Sequence, residues 1–189
     1  MDSKTKWNDK YKERLKYHKE PVANSRLKDL SAYLKGGTAL DLACGLGGNS
    51  MFLARLNYLV EAIDISDVAI NFVKEQAKRH HLSIHPRVAD LTEVKDINFL
   101  NSPFDLIVIS YYLDRSLYPI VKSLLKEDGY LFMETYFHSQ QTENQGVSNL
   151  YKLKSNELLA EFGDWQVLFF EENEQEGRQT IFAKFRIDA

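Results

Sequence analysis

The stretch LDLACGLGGNS, from Leu40 to Ser50, joins an apolar strand to a turn with three glycines in four residues, Gly45, Gly47 and Gly48. Glycine loosens a strand and offers no side chain for packing. A chain that places three glycines at the end of a strand therefore needs its backbone there rather than its side chains. We predict from this one stretch a strand, a turn that a bound molecule approaches closely, and a helix.

Strands and helices alternate along most of the chain. The predicted strands of this region are Thr38 to Leu42, Leu59 to Ile63, Ile84 to Val88, Phe104 to Ile109 and Tyr130 to Met133. Such alternation is typical of a parallel, doubly wound sheet. Two further strands, Trp165 to Glu171 and Thr180 to Ile187, have no helix between them and predict an antiparallel hairpin. The predicted fold class is α/β: a Rossmann-like, doubly wound, mostly parallel seven-stranded sheet closed by a C-terminal antiparallel hairpin.

Length and composition limit the domain organisation and the location. With 189 residues, 44% of them hydrophobic, the chain can form one α/β domain with a sizeable core. We expect a helical N-terminal segment over residues 1–35 and one domain over residues 36–189. The N-terminus is polar, no apolar run approaches the roughly 20 residues that span a bilayer, and the one Cys excludes an internal disulfide. These features predict a cytoplasmic protein with no membrane partner.

The charge of the chain bears on its partners. A net charge of −3 and a pI near 6.0 argue against broad binding of nucleic acid. Residues 1–20 carry seven Lys or Arg and four acidic residues, a mixture typical of a solvated helix face. We expect a small-molecule partner and a monomer or homodimer, and keep RNA or protein as the alternative partner of the basic N-terminus.

Acidic residues end or follow the first three predicted strands: Asp41, Asp64 and Asp90. The carboxyl ends of parallel strands lie at one edge of a sheet, where ligands bind in such folds. Asp64 follows Gly45 by 19 residues, a separation at which a carboxylate can take both hydroxyls of a ribose. Clustered acids repel each other unless a ligand or cation lies between them. The alternative is that Asp64 and Asp90 merely cap strand ends.

The glycine turn matches the dinucleotide-binding pattern G-x-G-x-x-G incompletely, because Ser50 stands at the third glycine position. Asp41, just before the turn, suits a cationic amino group better than a pyrophosphate. Both points favour S-adenosylmethionine over a nicotinamide cofactor. A nicotinamide-dependent reductase, which usually has a larger chain with a substrate domain, is the alternative enzyme.

Four motifs, in this order and spacing, resemble the binding motifs of class I S-adenosylmethionine-dependent methyltransferases: LDLACGLGGN, VEAIDIS, VADL and FDLIVIS. The resemblance covers about residues 36 to 136, and the predicted terminal hairpin is similar to the one that closes that family's sheet. Within the family, WNDKY, YYLDRSLYP and GYLFMETY are most similar to small bacterial methyltransferases of the tellurite-resistance type.

The resemblance implies that S-adenosylmethionine is the methyl donor. Gly45 and Gly47 would accommodate its methionine moiety, and Asp41 would hold its amino group directly or through water. Asp64 would bind the ribose hydroxyls, with Ile65 packed on the adenine.

The resemblance also assigns the rest of the donor site and shows one departure. Asp90 would accept a hydrogen bond from the adenine amino group, with Leu91 beside it. Ser110 and Tyr111 would border the methyl group. Ala43 stands where the family usually has glycine, and alanine is tolerable there if its φ is negative.

Three residues are candidate catalytic residues: Tyr111, Arg115 and His138. Arg115 follows the predicted fourth strand and either anchors an anionic substrate or forms a structural ion pair with Asp114 or Glu134. His138 follows the fifth strand on the ligand side and opens a polar segment that we predict to be a lid.

Trp7 and Tyr11 are four residues apart and share one face of a predicted N-terminal helix. They are nearly the only apolar residues of that stretch. We hypothesise that this helix folds over the cofactor as a lid and that both aromatic residues bind the cofactor.

No metal site is predicted. His80, His81 and His85 lie at a helix end and in the following strand, without the paired spacing of a zinc site. Cys44 lies in the glycine turn, but no partner base is visible, so a small buried residue is favoured over a nucleophile.

Methyl transfer from a sulfonium is an in-line displacement with a good leaving group, so the enzyme mainly aligns the nucleophile and excludes water. The sequence shows no obvious general base. We therefore favour a small acceptor with a ready nucleophile: an oxyanion, a thiol, or a chalcogen species such as tellurite or selenite. The alternatives are a non-catalytic module that binds S-adenosylmethionine and a methyltransferase that acts on RNA or protein.

Overall fold

The computed structural model describes residues 2–17, 20–93, 100, 102–139 and 146–186. Two short 3₁₀ turns, Arg115–Leu117 and Asn149–Tyr151, bear on the sites below. In chain order the helices and strands are α1 (Ser3–Lys16), α2 (Ser25–Asp29), β1 (Gly37–Leu42), α3 (Gly48–Arg55), β2 (Tyr58–Asp64), α4 (Asp67–Arg79), β3 (Ile84–Val88), β4 (Phe104–Ser110), α5 (Tyr118–Leu124), β5 (Leu125–Tyr136), α6 (Glu157–Phe162), β6 (Gln166–Asn173) and β7 (Arg178–Lys184).

The strands form a seven-stranded sheet in the order β3-β2-β1-β4-β5-β7-β6. Strands β1, β2 and β3 pair in parallel, whereas β7 pairs antiparallel with both β5 and β6. This confirms the predicted fold class, a mostly parallel α/β sheet that ends in antiparallel strands. The chain divides into two compact units, Met1–Phe104 and Asp105–Ala189.

In the first unit, helices pack on a parallel three-stranded sheet whose central strands are almost wholly apolar. The last four residues of β1 are buried, and Val60, Ala62 and Ile63 of β2 are inaccessible to solvent. Strands buried by helices have this composition. Ser66 caps α4, because its hydroxyl accepts a hydrogen bond from the Ala69 amide at 3.1 Å. The carboxyl ends of β1 and β2 thus lead directly into the starts of α3 and α4.

In the second unit, β5 is longer than the four residues that its apolar pattern predicts. It runs from Leu125 to Tyr136, and the ladder with the β7 side continues around Asp128 and Gly129. The Asp128 amide donates to the Phe185 carbonyl at 2.9 Å, and the Phe185 amide donates to the Gly129 carbonyl at 2.8 Å. Backbone pairing of this kind can hold polar residues in a strand even where the sequence has no apolar pattern.

None of the helices in the described ranges is long and apolar enough to cross a membrane.

Candidate functional site

The turn after β1 has an unusual backbone conformation, with several residues in the left-handed region. Ala43, Gly45 and Gly47 all have positive φ, at 55°, 54° and 77°. The Cys44 amide donates to the Ile63 carbonyl of β2 at 2.9 Å, and the Gly47 amide donates to the Cys44 carbonyl at 3.0 Å. The turn is therefore fixed to the neighbouring strand by the backbone itself.

Two of the glycines are required by both conformation and space. A Cβ on Gly45 would lie 3.0 Å from the Tyr11 hydroxyl oxygen, and a Cβ on Gly47 would lie 2.7 Å from a Val73 methyl carbon. Both residues also have the left-handed φ that glycine tolerates best. Part of the reason for the glycines in LDLACGLGGNS therefore lies within the chain, since Tyr11 and Val73 pack closely against the turn.

Ala43 does not have the negative φ at which alanine is readily tolerated. Its φ is 55°, in the left-handed region, where the Cβ of an L-residue approaches the following carbonyl and costs roughly 1–2 kcal/mol. Glycine at the corresponding position of related methyltransferases avoids this cost, so Ala43 is a strained residue in the wall of the predicted donor site.

Replacing Ala43 by glycine is expected to stabilise the protein. Relief of the left-handed strain outweighs the added entropy of the unfolded chain by about 0.5–1 kcal/mol, which for this length raises Tm by about 1–4 °C. Urea unfolding monitored by circular dichroism measures the change. Ala43→Val is the matched control and is expected to destabilise, since a β-branched residue tolerates this φ least. An unchanged or lower midpoint for Ala43→Gly would contradict the strain.

Asp64, at the end of β2, is fixed by hydrogen bonds to both carboxylate oxygens. Its Oδ2 accepts from the Gly45 amide and its Oδ1 from the Ser66 amide, each at 2.9 Å. The Tyr11 hydroxyl also hydrogen-bonds to this carboxylate. Burial raises the pKa of Asp64, although these donors favour the charged form. The Ile65 amide hydrogen-bonds to the Asp64 carboxylate as well, so four donors match the roughly four lone-pair positions of an ionised carboxylate. A ribose hydroxyl would therefore replace one of these donors, such as the Tyr11 hydroxyl.

Asp41 is the most deeply buried acid of the first unit that the structure describes, with 1% of its surface exposed. The Ser50 hydroxyl donates to its Oδ2 at 2.5 Å. Burial, assisted by the nearby negative charge of Asp64, raises the pKa of Asp41 to about 7 against the opposing effect of the Ser50 hydrogen bond. A carboxylate in this environment is stabilised by an approaching cation.

Helix α1 packs on the turn that carries Asp64. The Tyr11 ring stacks on the Trp7 ring with centroids 5.6 Å apart, and the side chain of Tyr11 is buried against Gly45. The Ser66 hydroxyl donates to the Asn8 side-chain oxygen at 2.6 Å. The predicted shared face of Trp7 and Tyr11 is therefore present. Their contact with a cofactor stays a prediction.

The remaining residues predicted for the adenine lie at the ends of β2 and β3. Asp90 follows β3 and accepts hydrogen bonds from the amide and the hydroxyl of Thr92, at 2.9 and 2.7 Å. Leu91 is buried and Ile65 is half-buried. Asp41 and Asp64 interact electrostatically, so the structure brings together two of the three predicted acids at the glycine turn.

Cys44 is a protonated thiol in this turn. Burial is the main cause that raises its pKa well above the usual range, with the negative charges of Asp41 and Asp64 adding to it. Its sulfur lies 3.6 Å from the Gly45 carbonyl oxygen. These contacts favour the predicted packing role over a nucleophile.

In the second unit, Tyr111 follows Ser110 at the end of β4 in a strained conformation. Its φ is 56°, its amide donates to the Glu134 carbonyl at 2.7 Å, and its ring lies 4.9 Å from the ring of Tyr136. The side chain is 43% exposed. A left-handed aromatic residue at a strand end is uncommon and is often found in functional loops.

Arg115 forms a two-point ion pair, but with a different partner from those predicted. Its Nε and Nη2 donate to the Glu157 carboxylate at 2.6 and 2.9 Å, and Nη2 also donates to the Lys152 carbonyl at 3.2 Å. Asp114 instead accepts from the amide and hydroxyl of Ser116. The two predicted partners were wrong because the pairing depends on a helix 42 residues further along the chain.

His138 is exposed after β5, and its amide donates to the Leu153 carbonyl at 2.9 Å. The lid predicted after it falls partly outside the described residues, which omit 140–145. Among the other histidines, His85 of β3 contacts Glu61 of β2 through Nδ1 at 3.0 Å. Catalytic roles for Tyr111, Arg115 and His138 stay predictions.

Sequence reasoning missed three residues that shape these two regions, Ser50, Lys152 and Glu157, and the contact of Ser66 with Asp64. That contact had a readable signal, since a serine two residues after an aspartate favours a turn in which the aspartate accepts its amide. The sequence analysis noted Ser50 only because it stands at the third glycine position of the dinucleotide-binding pattern. Nothing local in the sequence indicates Lys152 or Glu157.

Comparison with known proteins adds the family. A family model described as tellurite resistance protein TehB matches residues 4–188. The chain belongs to this family. The resemblance to class I S-adenosylmethionine-dependent methyltransferases of the tellurite-resistance type is thereby confirmed.

A relative from Haemophilus influenzae named probable S-adenosyl-L-methionine-dependent methyltransferase TehB is 29% identical over 150 residues, which cover 75% of this chain and 50% of the relative. The chain thus spans about half the length of the TehB relatives that it matches.

Solved structures show the same fold. The crystal structure of TehB from Haemophilus influenzae has a TM-score of 0.74 at 23% identity, over 94% of this chain and 66% of that one. Magnesium protoporphyrin IX methyltransferase from Synechocystis PCC 6803, solved with bound SAH, has a TM-score of 0.71 at 15% identity, over 97% of this chain and 98% of that one.

Proposed function

We propose that this chain transfers a methyl group from S-adenosylmethionine to a small-molecule acceptor. One observation carries the donor half: Asp41 and Asp64 hold two buried carboxylates on either side of a glycine turn. The donor has the complementary groups, an ammonium and a pair of ribose hydroxyls. Membership of the TehB family supports the same reading.

The residues fit this donor by charge and by hydrogen-bonding capacity. Asp41 is a buried acid with a pKa of about 7, and an ammonium would favour its charged form. Asp64 is oriented by the Gly45 and Ser66 amides, and a ribose hydroxyl would take the place of the Tyr11 hydroxyl on its carboxylate. When bound, the donor supplies an electrophilic methyl group on a sulfonium, which needs no activation by the protein. The role of these residues is to bind and orient.

The acceptor is a small nucleophile that is already reactive at neutral pH: an oxyanion, a thiol, or a chalcogen species such as selenite or tellurite. Such acceptors need alignment and removal of water rather than a strong base. Candidate acceptor residues are Tyr111, Arg115 and His138, which follow β4 and β5. Arg115 is held by Glu157, which favours a positioning role for its guanidinium.

A product assay over an acceptor panel tests this function. The full chain is incubated with S-adenosylmethionine labelled in its methyl carbon and, separately, selenite, tellurite, a thiol, an alcohol and RNA. We expect a labelled methyl group on the chalcogen oxyanion, recovered from solution because no reductant is present to make it volatile, or on the thiol as a thioether, and background counts with the Asp64→Asn variant. Tight donor binding with no product on any acceptor would favour a binding module. Labelled RNA whose yield falls steeply with added salt would favour a nucleic acid substrate.

A further inference from the structure

Helix α1 is attached to the first unit mainly through one side chain. Tyr11 is its one buried residue, with 6% of its surface exposed, and the other residues of the helix, all within the described part of the chain, are half-buried or exposed. Helices in proteins gain most of their stability by packing an apolar face against the rest of the molecule. The attachment of α1 therefore depends on what the Tyr11 side chain contacts.

The Tyr11 side chain lies against both Asp64 and the glycine turn. Its hydroxyl hydrogen-bonds to the Asp64 carboxylate, and the same oxygen lies 3.0 Å from the position that a Cβ on Gly45 would take. Burial, with a further contribution from the negative charge of Asp64, raises the pKa of Tyr11 above its usual range, so the phenol retains its proton and is the donor in this bond. The phenol thus meets Asp64 in the way that a ribose hydroxyl would.

The other three donors to Asp64 are backbone amides. Those of Gly45 and Ser66 donate at 2.9 Å, and the third belongs to Ile65. An amide of the glycine turn or of the segment that leads into α4 can leave the carboxylate only if the backbone rearranges, whereas a tyrosine leaves by rotation of its side chain or a shift of its helix. Among these four donors, Tyr11 is the one that an incoming hydroxyl can replace at least cost.

The remaining contacts between α1 and α4 are polar and near the surface. The Ser66 hydroxyl donates to the Asn8 side-chain oxygen at 2.6 Å, and the Lys4 ammonium lies 3.6 Å from an Asp67 oxygen, with both of these charged side chains about half exposed. Exposed ion pairs contribute little to stability. These contacts guide the position of α1 but do not replace its buried anchor, so loss of the Tyr11 contact should loosen the helix.

We propose that Tyr11 is an internal competitor of the methyl donor: its hydroxyl takes the place of a ribose hydroxyl on Asp64, and the arriving donor displaces it and loosens α1. This inference rests on the proposed function, because it takes the ligand of Asp64 to be the ribose of that donor. Binding must first break the contact between Tyr11 and Asp64, so the apparent affinity for the donor is lower than the site alone would give. Helix α1 then covers the site before the donor binds and releases it afterwards.

Calorimetric titration of the full chain with S-adenosylhomocysteine tests the competition. Tyr11→Phe retains the ring and removes only the hydroxyl, so it is expected to bind about three- to tenfold more tightly than the unchanged chain. Tyr17→Phe makes the same change at the exposed end of α1 and is the matched control. Its affinity is expected to stay within about twofold of the unchanged chain, as for most surface substitutions. Weaker binding by Tyr11→Phe would mean that the hydroxyl binds the donor, and equal binding would mean that it does not compete. Either result overturns the proposal.

Hydrogen exchange of the α1 amides, with and without saturating S-adenosylhomocysteine, tests the loosening. We expect exchange in α1 to be about fivefold faster or more with the ligand, because local opening becomes easier. The Trp7 ring stacks on the Tyr11 ring with centroids 5.6 Å apart, so its emission should shift to longer wavelength, and Trp7→Phe, which retains Trp165, gives the background.

The outcomes separate failure of the competition from failure of the proposed donor. Slower exchange in α1, or a shift of Trp7 emission to shorter wavelength, would mean that the helix closes over the bound donor and would refute the displacement. Binding of S-adenosylhomocysteine with equal affinity by the unchanged chain and Tyr11→Phe would refute the competition and leave the donor site in place. Failure of the unchanged chain, Tyr11→Phe and Tyr17→Phe to bind it at all would refute the proposed donor itself, and the competition with it.

Discussion

Asp64→Ala is expected to lower the affinity for S-adenosylhomocysteine by more than 100-fold. The carboxylate is fixed by the Gly45 and Ser66 amides at 2.9 Å and would bind the two ribose hydroxyls of the donor. Hydrogen bonds to a charged group contribute about 1.5–3 kcal/mol each, so the loss of two corresponds to about 3–6 kcal/mol. The substitution also releases the turn from the end of β2, which adds to the loss.

Calorimetric titration of the purified chain with S-adenosylhomocysteine and, separately, with NADH measures this effect. Asp64→Asn preserves the size of the side chain and shows how much of the loss comes from the charge. Glu75→Gln is the control, because Glu75 is an exposed carboxylate on α4. Binding of NADH alone, or undiminished binding by Asp64→Ala, would refute the assignment of the glycine turn to a methyl donor.

Donor binding is expected to strengthen as the pH rises towards neutrality. Burial raises the pKa of Asp41 to about 7, so below this pH most molecules carry an uncharged carboxyl that attracts an ammonium weakly. Binding of a cation requires the ionised form and releases a proton. The affinity for S-adenosylhomocysteine should therefore fall about 30-fold between pH 8 and pH 5.5, as the ionised fraction falls.

Calorimetry over this pH range, in two buffers of different ionisation enthalpy, measures both the affinity and the released proton. Asp41→Asn cannot ionise, so its weaker binding should vary little with pH. Ser50→Ala removes the hydroxyl that donates to Asp41 at 2.5 Å and should move the midpoint to higher pH. An affinity that is equally flat in the unchanged chain and in Asp41→Asn would exclude Asp41 as the ammonium partner.

The same carboxyl affects the stability of the donor-free protein in the opposite direction. An unfolded aspartate has a pKa near 3.8, so between about pH 4 and pH 7 the folded state holds a proton that the unfolded state has lost. The free energy of unfolding therefore decreases as the pH rises through this window, by up to about 1.4 kcal/mol per unit from this group. Asp41→Asn should lack this contribution and should be more stable than the unchanged chain at pH 8 without donor. Urea unfolding of both chains at pH 5 and pH 8 measures the difference.

The placement of Asp41 and Asp64 at the glycine turn could be predicted from sequence, because both lie at strand ends that parallel pairing brings to one edge. The interval from Asp41 through the glycines to Asp64 covers one β-α-β unit, so its spacing fixes the geometry. The role of Ser66 also depends on nearby residues, because it caps the helix that follows β2. The left-handed φ of Ala43 and the hydrogen bond from Ser50 to Asp41 were not predicted, since both depend on the hydrogen bonds around the turn.

The sequence by itself determined the fold class and the positions of Asp41 and Asp64 at strand ends. The first depends on the apolar pattern of the strands, and the second depends on intervals within one β-α-β unit. The surroundings of Arg115 were decided by tertiary structure alone. Arg115 meets Glu157 and the Lys152 carbonyl across 42 and 37 residues, and the bridge between Phe137 and Leu153 positions that lysine. Contacts between segments so far apart leave no periodic trace in the sequence, and burial of a charge can be recognised only when all its neighbours are in place.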